Sequence, residues 1–196
     1  HILPHWTWPG REGEVTPVFV YTNYPTAELF INGKSYGKQS KNNSSLKNRY
    51  RLMWMDTKYE PGEVKVVAYD KNGKAVAEKV VRTAGKPHHI ELVSNRNELT
   101  ADGKDLAYVT VKVVDKDGNL CPTDNRQINF SVKGTGKYRA AANGDPTNLE
   151  QFHLPKMHAF NGMLTAILQA GETAGEIVFT AKANGVKAGN IRIQTK

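Results

Sequence analysis

The stretch LAYVTVKVVD, residues 106–115, sets Thr110 and Lys112 between Val109, Val111 and Val113. A polar–apolar period near two puts successive side chains on opposite faces of a strand, so one face can enter a core while the other meets water. The same rhythm runs through HIELVSN (89–95), QINFSVKG (127–134), YRAAANG (138–144), GMLTAILQAG (162–171), GEIVFTAKANG (175–185) and GNIRIQT (189–195). Gly, Asn and Asp turns separate these segments, and seven strands over about 110 residues match a β-sandwich. Only LTAILQA invites a helix. About two turns in length and flanked by Gly162 and Gly171, it reads as a strand.

Working toward the start of the chain, VTPVFVYTN (15–23), AELFING (27–33), YRLMWMDTKY (50–59), EVKVVAYD (63–70) and VAEKVVRT (76–83) alternate in the same way. Asn32-Gly33, Pro61-Gly62 and Asn72-Gly73 supply the turn chemistry between them. TAGKP (83–87), with its small residues, Gly and Pro, is the best linker. The sequence therefore predicts an all-β chain of two domains, 1–86 and 87–196, each of a size at which an immunoglobulin-like antiparallel sandwich closes one core. No Cys…Trp…Cys spacing is present, so packing must come from apolar side chains and not from an inter-sheet disulfide.

Composition narrows the function. Of 196 residues, 39% are hydrophobic and 23% charged, the balance of an ordinary globular chain. No run approaches the roughly 20 apolar residues of a membrane helix, so no membrane partner is expected. The single cysteine, Cys121, can form neither an internal disulfide nor a thiolate zinc site, and reads as a small packed hydrophobe. The formal charge of +8 is uneven: residues 1–86 carry 14 basic against 8 acidic side chains, residues 87–196 carry 13 against 11.

Motifs with possible chemistry give way to plainer readings. VDKDGN (114–119) begins like a calcium loop, but the twelfth position from Asp115 is Arg126, where a carboxylate is needed; a strand-to-strand turn is expected. Neighbours in sequence, His88 and His89 would point to opposite faces of a strand and cannot chelate together; exposed linker histidines are expected. His153 and His158 flank a loop without metal-ligand spacing, so no metal and no cofactor is predicted. Glu12 and Glu14 would share one face of a solvated strand edge, with nothing to raise a pKa. The basic stretch GKSYGKQSKNNSSLKNRYR (33–51) could meet phosphates and bases, yet KQSKNNSSLKN (38–48) within it reads as a long solvated loop and the rest of the chain supplies no basic groove, so no nucleic acid is expected. With no nucleophile motif and no phosphate loop, this chain by itself should catalyse nothing.

HILPHWTWPG (1–10) is the strongest local anomaly. His5, Trp6 and Trp8 sit between two prolines before any strand pattern begins. Exposed indoles would stack on pyranose rings; equally, they would anchor a neighbouring domain. The residues by themselves leave both open.

Here the order of motifs becomes familiar. PHWTWPGREGE (4–14), VFVYTN (18–23), AELFINGKSYGK (27–38), W…YEPGEVKVVAY (54–69) and TAGKP (83–87) resemble the region that follows the catalytic barrel in bacterial β-galactosidases of glycoside hydrolase family 2. ELTADGKDLAYVTVKVVDKDGN (98–119), FSVKGTGKYRAAANGDP (130–146) and AFNGMLTAIL (159–168) are similar to the final immunoglobulin-like domain of those enzymes. Thr7 stands where that family commonly has Asn, and the Lys/Asn/Ser loop at 38–48 looks enlarged. The resemblance implies a retaining glycosidase as parent, with both catalytic glutamates on a barrel upstream of His1 and none in this chain. It implies that barrel as the principal partner, a homo-oligomeric parent and a periplasmic or extracellular setting. The role so implied is a non-catalytic accessory one: bracing the barrel, positioning subunits or shaping access to the site, with His5, Trp6 and Trp8 as barrel contacts. An autonomous carbohydrate-binding module is the alternative.

Overall fold

A computed structural model describes all residues, 1–196. It contains sixteen β-strands and no helix, and separates into two compact units, 1–83 and 84–196. The division falls three residues before the one read from sequence, for a physical reason. Ala84 packs on the second core, and the Gly85 amide donates to Asp115 at 2.8 Å, so the linker's small residues are held by the unit that follows.

The first unit contains β1 (Ile2–Leu3), β2 (Val18–Val20), β3 (Thr26–Ile31), β4 (Lys34–Ser40), β5 (Leu52–Trp54), β6 (Glu63–Tyr69) and β7 (Ala75–Arg82). They form a three-stranded sheet, β1-β2-β5, and a four-stranded sheet, β4-β3-β6-β7, antiparallel throughout. The alternation does what the sequence required. On β3, Ala27, Leu29 and Ile31 are buried, opposite Ala68, Val66 and Val64 of β6. These six join Val18, Val20, Leu52 and Trp54 of the smaller sheet in one apolar cluster, which makes the unit a two-layered sandwich. Asn32-Gly33 turns β3 into β4 with φ of 49° and 80°, the paired positive angles of a tight hairpin.

The second unit contains β8 (His89–Ser94), β9 (Glu98–Leu99), β10 (Leu106–Val114), β11 (Gln127–Gly134), β12 (Gly136–Ala142), β13 (Lys156–His158), β14 (Met163–Ala170), β15 (Gly175–Lys182) and β16 (Gly189–Thr195). Its sheets run β12-β14-β10-β8 and β13-β11-β15-β16-β9. Ala107, Val109, Val111 and Val113 of β10 are wholly inaccessible and share a core with Ile128 and Phe130 of β11, Ile177 and Phe179 of β15 and Ile193 of β16. Phe130 and Phe179 stack with centroids 5.8 Å apart. LTAILQA lies within β14, as its length and glycines predicted.

Three features depart from the sequence reading. Two-residue strands β1 and β9 and the three-residue β13 are too short to show a period. One pairing, β9 with β16, is parallel, because the chain leaves the first sheet after β8 and crosses to the second, where it meets the C-terminal strand running the same way. Within the basic stretch 33–51, Lys34–Ser40 form β4, which takes in the first three residues of the expected loop 38–48 and exposes all but Tyr36 and Gln39, so no apolar face betrayed it.

Candidate functional site

The amino-terminal aromatic segment does not form a flat platform. Pro4 and Pro9 each lack an amide donor and bound the stretch, and residues 4–10 lie outside any strand. Trp6 and Trp8, two positions apart, are thereby freed from the rule that would place both on one face of a strand. Trp6 turns inward. It is 1% exposed, meets Tyr59 edge to face with centroids 5.3 Å apart, and its Nε1 donates to the Glu60 carbonyl at 2.8 Å. The Thr83 hydroxyl donates to the Trp6 carbonyl. Burying an indole with its N–H satisfied is the stable arrangement for this side chain. The expectation that Trp6 is a contact for a barrel or a sugar is thus corrected: the ring is a core element of its own sandwich and has no free face.

Trp8 and His5 behave differently, and both are only half-buried. Their rings stack, centroids 4.1 Å apart and planes 25° apart, while Trp8 Nε1 donates to the His5 carbonyl at 2.9 Å. The Arg11 guanidinium lies 5.2 Å from the Trp8 centroid, and Arg11 is itself tied to Glu14 at 2.8 Å. Burial holds the His5 imidazole below its ordinary value, and its Nδ1 receives the Thr7 amide at 3.3 Å, a bond that only the unprotonated nitrogen can accept. The result is a preformed His5–Trp8–Arg11 stack at the surface of the first unit, apolar in its rings and cationic at one end.

The remaining sequence candidates fall into structural roles. Glu12 and Glu14 belong to the turn that carries Arg11, outside any strand. VDKDGN is a turn organised by one carboxylate. Asp115, 2% exposed, accepts from the amides of Gly85, Asp117 and Asn119 and from the Asn119 side chain, at 2.8–3.0 Å. Burial alone would raise its pKa, but these donors outweigh it, Gly85 foremost, and hold it at about 2. Beside it, burial first and then the charges of Asp115 and Asp124 push the Cys121 thiol up to about 11, which leaves it a poor nucleophile. His88 and His89 correct the expected arrangement: His88 precedes the strand, so alternation does not separate the pair, and their Nδ1 atoms lie 3.0 Å apart in half-buried positions. His158 leans on Glu150 at 3.0 Å, and His153 is exposed.

One feature escaped the sequence. Loops 21–25 and 41–51 of the first unit enclose an open cleft of about 370 Å³ lined by Tyr21, Thr22, Asn23, Lys41 and Tyr50. The 41–51 loop reads as solvated filler because its composition is Lys, Asn and Ser; its pairing with 21–25 depends on the β3–β4 hairpin, which brings the two ends together. Lys41 links the two loops, its amide donating to the Pro25 carbonyl at 2.8 Å and its ammonium to the Thr22 carbonyl.

Comparisons with known proteins bear on both units. The family profile described as "Glycoside hydrolase family 2 C-terminal domain 5" matches residues 90–192, and a domain of unknown function matches residues 13–77. "Beta-galactosidase BoGH2A" of Bacteroides ovatus is 41% identical over 197 residues, which take in 100% of this chain and 22% of the relative. A crystal structure of a β-glycosidase from Bacteroides vulgatus superposes with a TM-score of 0.90 at 31% identity, over 99% of this chain and 24% of that one. A glycosyl hydrolase family 2 member from Bacteroides cellulosilyticus gives 0.86 at 34%, over 99% and 24%. The chain thus spans about a fifth to a quarter of the length of these relatives.

Proposed function

The chain belongs to glycoside hydrolase family 2, and from that premise we propose that its two sandwiches are non-catalytic accessory domains that brace the catalytic barrel of a β-galactosidase-like parent. The parent is a retaining glycosidase acting in the periplasm or outside the cell. The observation that carries the reading is coverage: a relative named as a β-galactosidase aligns with the whole of this chain yet devotes only 22% of its length to it. Bracing needs a surface that is stable before contact and gains by losing water. The His5–Trp8 stack supports that role, being already ordered by two hydrogen bonds, so docking would cost little side-chain entropy.

Burial of the exposed part of this stack would contribute at about 25 cal/mol per Å² of apolar surface. The test is Trp8→Ala made both in the full-length parent and in the 196-residue chain. Bracing requires a larger fall in melting temperature, or a loss of turnover on a β-galactoside, in the parent than the chain's own destabilisation accounts for. Equal shifts in the two settings, with unchanged kinetics, would sink it.

A further inference from the structure

We propose that the cleft between loops 21–25 and 41–51 binds an acidic oligosaccharide, one carrying uronate carboxylates. Three observations converge there. Aromatic surface is available: Tyr50 is 66% exposed and Tyr21 37%, and both line the cleft. A tyrosine ring left in water at this level offers the flat apolar surface on which the C–H face of a pyranose stacks, with Asn23 and Thr22 beside it to meet hydroxyls. The volume of about 370 Å³ falls in the range of small-ligand sites.

The charge is the second observation. Residues 33–51 contain six Lys and Arg and not one Asp or Glu. Lys41, Lys47, Arg49 and Arg51 pair with no carboxylate, although eight ion pairs form elsewhere in the chain. Of these, Lys41 lines the cleft, and Arg49 and Arg51 flank the lining residue Tyr50 in sequence; uncompensated positive charge in such a segment raises the local density of anions. The Lys41 ammonium, which has donors left beyond its bond to the Thr22 carbonyl, is the group at the cleft that would meet a carboxylate.

The third is order. Lys41 ties the two loops together through Pro25 and Thr22. The Arg49 guanidinium donates twice to the Asn43 carbonyl, at 3.2 and 3.0 Å, and lies 5.8 Å from the Tyr50 centroid. The loop is therefore folded on itself, with the Arg49 guanidinium over one face of the Tyr50 ring and the other face left for a ligand. Such preorganisation reduces the entropy lost on binding. Single-stranded nucleic acid fits less well, because it needs a basic groove that tracks several phosphates along with stacked bases, whereas this is one compact cleft.

The experiment is titration calorimetry of the 196-residue chain with tetragalacturonate, with its neutral counterpart α-1,4-galactotetraose, and with an octathymidylate. Saturable binding of tetragalacturonate is expected, with weaker or no binding of the neutral sugar. Tyr50→Ala should weaken it about tenfold, the loss of one ring contact, while Tyr50→Phe, which keeps the ring, retains it. Binding should fade in about 1 M salt, where screening extends to within ~3 Å. The proposal is overturned by no saturation with tetragalacturonate, by equal affinity for the neutral sugar, by tighter binding of the oligonucleotide, or by a Tyr50→Ala variant that melts normally and binds unchanged. None of these outcomes touches the bracing role, which is read in the parent at Trp8.

Discussion

Trp6→Ala separates a core indole from an interface indole. The substitution empties a site that is 1% exposed, removes the edge contact to Tyr59 and leaves the Glu60 carbonyl without its 2.8 Å donor. Large-to-small replacement of a buried aromatic costs about 3–5 kcal/mol, and the lost hydrogen bond adds about 1 kcal/mol. For a unit of 83 residues, each kcal/mol moves the melting temperature by about 4–8 °C, so a fall of ~20 °C or more is expected. This is a large part of the whole stability of a small domain. The assay is built into the sequence: the three tryptophans, Trp6, Trp8 and Trp54, all lie in the first unit, so indole fluorescence during urea or thermal unfolding reports on that unit alone. Trp8→Ala gives up the His5 stack, the Arg11 contact and a half-buried ring packed on the core, and should cost about 2 kcal/mol, less than Trp6→Ala. A Trp6→Ala midpoint within experimental error of the parent chain, or a Trp8→Ala loss exceeding that of Trp6→Ala, would refute the assignment of Trp6 to the core.

Two further predictions concern titrating groups. Asp115→Ala removes the acceptor of four donors and should destabilise the second unit by about 3 kcal/mol. In the unsubstituted chain the Asp115 carboxyl is depressed from 3.8 to about 2, so its stabilisation is complete above about pH 4 and is lost as pH falls through about 2; far-UV circular dichroism of denaturant unfolding between those values checks it, and an Asp115→Ala chain as acid-sensitive as the unsubstituted one would contradict it. For His5 the folded pKa also lies below its ordinary 6.5, so the unfolded chain takes up the proton first and stability declines as pH drops below about 6.5. The urea midpoint read by indole fluorescence should therefore fall between pH 7.5 and 5 more steeply in the unsubstituted chain than in His5→Asn, and equal slopes would remove His5 from the account.

Much of the fold was legible because burial and periodicity coincide. β3, β6, β10, β14 and β15 each pack one face of alternating side chains into a core, so the period of two in the sequence is the direct trace of the sandwich. Legibility fails where that trace is absent. β4 pairs with β3 from Lys34 to Ser40 but buries almost nothing, and its Lys, Ser and Gln side chains carry a loop's composition. β1, β9 and β13 are set by their pairing partners, since two or three residues cannot express a period.

The sites follow the same logic with a different outcome. Residue types in HILPHWTWPG drew attention to the rings, but direction was hidden because no regular element relates position 6 to position 8. Only the coil between Pro4 and Pro9 decides that one indole faces Tyr59 while the other faces His5 and Arg11. Conversely, the cleft at Tyr21 and Tyr50 joins residues 29 positions apart, through a hairpin whose second strand was unreadable. Each cation in the 41–51 loop was visible in the sequence; what was not visible is that none of them has a carboxylate to meet, which is a fact of distances. An uncompensated charge cluster is thus a property that composition can suggest and only a fold can establish.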